Sequence, residues 1–227
     1  MRMRKKRHFD ERYSQLHEML IDIDKSFDKN TKTKVEAYIN PTEIFGNSKP
    51  LVLEIGCGKG NFAIEFAKQN PTVNIIAVEK YANVLIDACE KAKKENINNL
   101  RFMCTAAEYL DRYLRPQSIT AIYLNFSCPF PKKKYAAHRL THRRFLDIYR
   151  QIMQKDARIY QKTDNMQLFE FSIEQLSQNG YLLHNITLDL HNSKYLEGNI
   201  MTEYENKFTA QGKPIYRLEA TLSEASL

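Results

Sequence analysis

Apolar residues in this chain come in short unbroken runs, separated by stretches with helical spacing. The runs at 51–55, 75–79, 100–105, 119–126 and 158–162 read as five strands. The run at 75–79 is short and apolar, as a parallel strand buried on both faces is. Between the runs, 62–69 has helical spacing and is closed by Asn70-Pro71. The helix at 83–94 puts Val84, Leu85, Ala88 and Ala92 on one face, and a further helix covers 140–154. The stretch 166–179 carries Leu168, Phe169, Ile173 and Leu176 and is stopped by Gly180. Two last strands, 181–190 and 214–221, flank a short helix at 204–210. Repeated strand–helix units predict an α/β fold: a doubly wound, mostly parallel seven-stranded sheet with helices on both faces.

The first 50 residues do not share that rhythm. Arg2, Arg4, Lys5, Lys6 and Arg7 form a like-charge run, read either as a solvated arm or as one that settles on phosphates. Leu16, Met19, Leu20 and Ile23 have the spacing of a short helix. Pro41, Gly46 and Pro50 break any regular element in a connector over 31–50. The expected organisation is a basic arm and connector, 1–50, followed by a single catalytic domain, 51–227.

Composition narrows the partners. The 227 residues, 43% of them hydrophobic, suffice for one sizeable core. Lys and Arg outnumber Asp and Glu by 34 to 27, and this balance favours polyanions such as nucleic acid. Cys57, Cys89, Cys104 and Cys128 form no Cys-x-x-Cys pair, so they read as free thiols of a reducing cytoplasm rather than as a zinc site or disulfides. No apolar run approaches the roughly 20 residues of a membrane span. The basic start MRMRKKRH has no apolar stretch behind it, as a secretory signal would.

In doubly wound sheets ligands bind beyond the carboxyl ends of the strands. After the first strand, Gly56, Gly58 and Gly60 form a turn into a helix, and Glu54 precedes it. A strand, a glycine turn and a helix N-terminus make a nucleotide-binding element. The spacing Gly-x-Gly-x-Gly differs from the dinucleotide pattern. The carboxylate of Glu54 suits a cationic group, such as the amino-acid end of S-adenosylmethionine, and repels a pyrophosphate. Glu79, about 20 residues past the glycines, is placed to accept hydrogen bonds from ribose hydroxyls. Ala106 and Ala107 leave room for a flat adenine, and Glu108 is an acceptor for its amino group. After the fourth strand, 125–145 reads NFSCPFPKKKYAAHRLTHRRF: Asn125 and Cys128, two prolines, then Lys132, Lys133, Lys134, Arg139, Arg143 and Arg144 with Tyr135, His138 and His142 between them. Cations and stackable rings suit a nucleic acid substrate. His138 and His142 lack a third ligand at useful spacing, so no metal is expected. After the fifth strand, Thr163 and Asp164 read as functional or as a helix cap. Near the end, Thr202, Glu203, Tyr204 and Glu205 read both as a capping box and as carboxylates for guanine's N1–H and amino group.

The segments EIGCGKGNF, NFS-x-P-x-PKKK, RLTHRRFL, KTDN-x-x-LFEFS, TEYE-x-KF and GKPIYRLEA, with MRMR and IFGN before them, carry a resemblance that runs almost end to end. The chain resembles the bacterial tRNA (guanine-N7-)-methyltransferase family. The resemblance implies a Rossmann-like class I methyltransferase fold that uses S-adenosylmethionine to methylate N7 of a guanine in the tRNA variable loop, as a monomer or homodimer. It implies cofactor binding by Glu54, Glu79 and the position of Cys128. It implies substrate binding by Lys132, Asp164, Thr202, Glu203, Tyr204 and Glu205, to which the basic cluster adds Arg139.

Three positions depart from the family pattern. Cys128 stands where the family has its proposed catalytic Asp, and Phe130 where it has Trp. An acid usual after the third strand falls on Ala106. Asp164, a candidate catalytic residue, and Glu205 remain available as carboxylates beside a guanine that becomes cationic. Three alternatives stay open at this point: a tRNA-binding protein with impaired catalysis, an exocyclic-amino methyltransferase, and a dinucleotide oxidoreductase.

Overall fold

The computed structural model describes residues 5–25 and 37–223. The chain divides into two compact units between Arg115 and Pro116.

The first unit begins with two short helices, α1 (Phe9–Ser14) and α2 (Pro41–Phe45). Three parallel strands follow: β1 (Leu51–Ile55), β2 (Asn74–Val78) and β3 (Leu100–Met103), in the order β3-β2-β1. Leu51 pairs with Asn74, and Ile75 with Leu100. Every residue of β1 and β2 is buried, which explains why all but Glu54 and Asn74 are apolar. Helix α3 (Asn61–Gln69) connects β1 to β2, α4 (Ala82–Lys94) connects β2 to β3, and α5 (Leu110–Tyr113) follows β3. Helix α4 buries Leu85, Ile86, Ala88, Cys89 and Ala92.

The N-terminal segment belongs to this unit. No helix forms over the periodic residues from Leu16 to Ile23. Instead Phe102 N donates to Met19 O and Ile21 N to Phe102 O, both at 2.8 Å, with Leu20 bridged to Phe102 in parallel. Leu16, Met19 and Ile21 are buried. Lys6 pairs with Asp87 of α4, and Arg12 reaches Glu90 at 2.6 Å and Asp87 at 3.0 Å. Partly exposed ion pairs are worth at most about 1 kcal/mol each. Each buried side chain contributes about 1.5–3 kcal/mol, so apolar burial holds the segment and the ion pairs orient it. Lys5 pairs with Asp10, so Lys5 and Lys6 of the basic run lie against carboxylates, while Arg7 donates to the His8 ring at 3.0 Å; Arg2 and Arg4 lie outside the described residues. The expected structureless connector also contains α2. Pro41 occupies its first position, where a missing N–H is harmless, and Asn40 caps it by accepting from Thr42 N at 3.2 Å.

The second unit contains β4 (Ile119–Asn125), α6 (Arg143–Ile152), β5 (Met153–Thr163), α7 (Met166–Gln178), β6 (Tyr181–Thr187), α8 (Glu203–Thr209) and β7 (Tyr216–Leu222). Its strand order is β4-β5-β7-β6. β4 and β5 are parallel, while β7 runs antiparallel to both β5 and β6. Strand β5 is longer than its apolar run. It starts directly after α6, and its register against β4 shifts between Ile119 and Ala121. The extra residues Gln154, Lys155 and Asp156 are exposed, so their polarity hides the strand from the sequence pattern. The seven strands form the expected mostly parallel sheet.

Gly60 shows where a glycine is required by packing. Its φ is +72°, and a Cβ there would lie 2.8 Å from the Ala88 Cβ and 3.2 Å from the Phe102 ring. A Cβ on Gly58, at φ +55°, would meet nothing within 4 Å. Gly58→Ala should cost only the left-handed strain, about 1–2 kcal/mol. Gly60→Ala should cost about 1–3 kcal/mol more from overlap. Denaturant unfolding of both variants measures this; equal losses would show that Ala88 and Phe102 move aside freely.

Candidate functional site

In the first unit, the site residues cluster past the ends of the three strands. Glu54 is buried in β1, with Ala77 of β2 as its register partner. Gly56 N and Cys57 N both donate to Val78 O, at 2.8 and 3.0 Å, which pins the turn to the end of β2. Gly56, Gly58 and Gly60 all have left-handed φ. Gly56 resembles Gly58 in that a Cβ on it would point into open space. The turn therefore presents an open backbone edge, with Gly60 packed behind it. Cys57 is buried, and burial, reinforced by Glu54 and Glu79, pushes its thiol well above the usual range. It stays a neutral thiol rather than a nucleophile. Glu79 follows β2 and is half-buried; its Oε1 accepts from Tyr81 N at 3.0 Å, at the entry to α4. After β3, a 3-10 turn over Ala107–Tyr109 places Ala107 in the core and leaves Ala106 and Glu108 half-buried.

In the second unit, Asn125 ends β4 and is buried. The next residue, Phe126, has φ +49°, and its N–H donates to Lys162 O at 2.8 Å. Cys128 is exposed. Phe130 has φ +42°. The loop is then clamped by Arg139, whose guanidinium donates to Pro129 O at 3.0 Å and Phe130 O at 3.1 Å and lies 4.4 Å above the Phe171 ring. Arg139, expected as a substrate ligand, is half-buried and braces the loop through these bonds. Lys132, Lys133, Lys134, Tyr135, His138, Arg143 and Arg144 are exposed along the same segment. A buried hydroxyl chain fixes the segment below them. Thr141 and Ser172 share a hydrogen bond of 2.8 Å, and Gln161 donates to Ser172 at 2.9 Å.

Asp164 sits just past β5 and lies 3.7 Å from Lys213 Nζ. It does not cap α7. Asn165 does, accepting from Leu168 N at 2.8 Å, while Thr163 Oγ1 accepts from Asn165 N. The segment Thr202 to Glu205 splits into two faces. Glu203 and Tyr204 are exposed, whereas Thr202 and Glu205 are buried and form the full capping box of α8. The Glu205 side chain is 0% exposed and is engaged by Lys162 at 2.7 Å, Asn199 at 2.6 Å and His191 at 3.0 Å. Its expected role as an acceptor for guanine does not agree with that commitment. The Tyr204 ring stacks near Phe126 and Phe208, at centroid distances of 6.3 and 6.1 Å. Among the described residues no group of three His, Cys, Asp or Glu side chains is placed to hold a metal. Lys162, His191, Asn199 and Lys213 were not legible as site residues. Only Lys162 carried a signal, a lysine inside an apolar strand next to Thr163 and Asp164, since a buried lysine requires a partner.

His142 caps α6 by accepting from Arg144 N at 3.3 Å. Burial, and then Arg144, Arg139 and Arg143, hold its pKa below the ordinary 6.5. The folded state therefore favours the neutral ring. The cap's contribution is complete above pH 6.5 and is lost as pH falls through the lower folded value. Thermal stability should fall as pH drops below 6.5, by at most the worth of a cap, about 1 kcal/mol. His142→Asn keeps an uncharged acceptor and should reduce that fall; an identical pH dependence in both proteins would show that the ring is no cap.

Comparison with known proteins bears on the fold and the family. Residues 48–218 match a family model described as "Putative methyltransferase". The chain is 47% identical over 178 residues to the tRNA (guanine-N(7)-)-methyltransferase of Lachnoclostridium phytofermentans, covering 78% of this chain and 83% of that protein. It is 46% identical over 176 residues to the protein of the same name from Bacillus subtilis, covering 78% and 82%. Among solved structures, a 16S rRNA methyltransferase, KamB, superposes with a TM-score of 0.62 at 15% identity over 83% of this chain and 95% of that one. An antibiotic-related methyltransferase superposes with a TM-score of 0.60 at 17% identity over 90% and 96%. These two likenesses establish the fold, and the closer sequence relatives establish membership: the chain belongs to the tRNA (guanine-N7-)-methyltransferase family.

Proposed function

We propose that this protein transfers the methyl group of S-adenosylmethionine to N7 of a guanine in the variable loop of tRNA, in the cytoplasm. The observation that carries the reading is the exposed cationic segment after β4, Lys132 to Lys134 with Tyr135, in a chain whose relatives bear that activity in their names.

The first unit's residues fit the cofactor. The open edge at Gly56 and Gly58 admits a ligand close to backbone. Glu54 supplies a carboxylate for the amino-acid end, and Glu79 an acceptor for the ribose hydroxyls. Ala106 and Ala107 leave space for adenine, with Glu108 beside it. S-adenosylmethionine, when bound, supplies an electrophilic methyl group on a sulfonium. Asn125 and Cys128 line the exit of β4, where the family holds its cofactor and substrate.

Guanine N7 carries a lone pair and no proton, so no general base is needed to prepare it. The protein must hold N7 in line with the methyl group, which contributes about 7–11 kcal/mol in well-oriented reactions. The guanine becomes cationic as it is methylated. We assign the stabilising of that charge to the Asp164 carboxylate, which the guanine would share with Lys213 at 3.7 Å. Lys132, Lys133 and Lys134 reach phosphates, and Tyr204 offers a ring for stacking.

Incubating the protein with unmodified tRNA and labelled S-adenosylmethionine, then digesting to nucleosides, should yield 7-methylguanosine that maps to the variable loop. Cys128→Asp should leave methylation present. Methylation by the Asp form alone would make that carboxylate essential. A methylated exocyclic nitrogen, or tRNA binding without transfer, would replace the reading.

Salt dependence separates the cations. Lys132→Ala should lower the slope of log affinity against log salt by about 0.7–0.9, the share of one phosphate contact. Arg139→Ala should weaken binding without changing the slope, because its guanidinium holds Pro129 and Phe130 carbonyls. Filter binding of tRNA across salt concentrations measures both, and a lowered slope for Arg139→Ala would make it a phosphate ligand.

A further inference from the structure

We infer that Lys162 and His191 are positioning residues, which act through Glu205 to set the face of α8 that meets tRNA, and that Glu205 itself does not touch the substrate. The inference rests on the proposed function and assigns work within the same site.

The geometry leaves Glu205 nothing to offer a ligand. Its Oε2 accepts from Lys162 Nζ at 2.7 Å and from Thr202 N at 3.4 Å. Its Oε1 accepts from Asn199 Nδ2 at 2.6 Å and is 3.0 Å from His191 Nε2. Four donors converge on one fully buried carboxylate. A guanine edge would have to displace one of them, and a displaced Lys162 ammonium or Thr202 N–H would be left buried without its partner.

Lys162 is committed in the same way. It is 7% exposed. Its ammonium donates to Glu205, to Asn199 Oδ1 at 2.9 Å and to Ile200 O at 2.8 Å. Those three bonds use the three ammonium hydrogens. Meanwhile its backbone carbonyl accepts from Phe126 N at 2.8 Å. One residue therefore joins the exit of β4, the exit of β5 at Thr163 and Asp164, and the loop that leads into α8. Asn125, Cys128, Asp164, Glu203 and Tyr204 all hang on those three segments. His191, at the rim, holds the other carboxylate oxygen and ties in the turn after β6.

The consequence is a division of labour within four consecutive residues. Thr202 and Glu205 face inward and fix the helix start, so that Glu203 and Tyr204 face outward. The expected set of four substrate ligands becomes two that face outward and two that hold them.

Steady-state methylation kinetics of Lys162→Gln, His191→Gln and His191→Leu, with melting curves, test this. Wild-type protein must first yield 7-methylguanosine; if it does not, the proposed function fails rather than this inference. Lys162→Gln should raise KM for tRNA by about tenfold or more, the scale of one hydrogen bond to a charged group. Its KM for S-adenosylmethionine should stay near wild type. His191→Leu should show the same selective rise, and His191→Gln, which restores an N–H donor, should recover most of it. If Lys162→Gln does not fold, the two His191 variants decide alone. A His191→Leu protein with wild-type KM for tRNA would overturn the inference. So would equal rises for both substrates, or a His191→Gln protein as impaired as His191→Leu.

Discussion

A strand covered on both faces can expose chemistry only beyond its last residue. That constraint organises this protein. Strands β1 and β2 are buried at every position, so they can only carry apolar side chains or a polar one with a dedicated purpose. Glu54 is the exception within β1, one residue before the strand ends. The turn that follows must leave the sheet at once, and it does so through three left-handed glycines pinned to Val78 O by two N–H groups. The same logic holds in the second unit. Lys162 and Thr163 close β5 while buried, and Asp164 emerges beside them.

Local signals made much of this legible. The apolar run 51–55 gave β1 with its true limits, because buried parallel strands leave no ambiguity of period. Helix faces on α4 and α7 followed in part from their spacing, with Val84 and Ile173 only half-buried and Ile86, Cys89 and Ser172 buried in addition, and the capping box of α8 from Thr202 and Glu205. Misses arose where polarity and structure part company. Gln154, Lys155 and Asp156 are strand residues that face solvent, so β5 looked five residues long rather than eleven. Pro41 read as a breaker although it starts a helix. The spacing from Leu16 to Ile23 suggested a helix, but hydrogen bonds to Phe102 held those residues along β3.

Partnerships were the least legible feature. Lys162 and Glu205 are 43 positions apart, and no local pattern joins them. A carboxylate in a basic protein invites a role in base recognition, yet the sequence does not show which donors already surround it. Arg139 has contacts that its place in the charge run does not announce. It lies among exposed cations and shares their charge, but its planar fork is matched to two carbonyls of the preceding loop. Lys132, Lys133, Lys134, Arg143 and Arg144 stay exposed, and only Arg139 of the run turns its fork to those carbonyls. Charge runs locate a surface; only contacts show which members of the run face it.

Cys128 raises the question of how much a missing carboxylate should matter. The residue is exposed, so an Asp there would act through water-like surroundings. A unit charge about 4 Å from developing charge is worth about 1 kcal/mol in water and about 4 kcal/mol near a protein surface. Proximity and alignment contribute about 7–11 kcal/mol in comparable reactions. The second quantity exceeds the first even at its most generous. N7 also has no proton to surrender, which removes the usual need for a base at this position. What the site cannot lose is the rigidity that sets the approach of the two reactants. In the second unit that rigidity comes from Arg139 bracing the loop that carries Cys128, and from the Phe126–Lys162 hydrogen bond at the loop's origin. Replacing Asp by Cys leaves both of these supports in place.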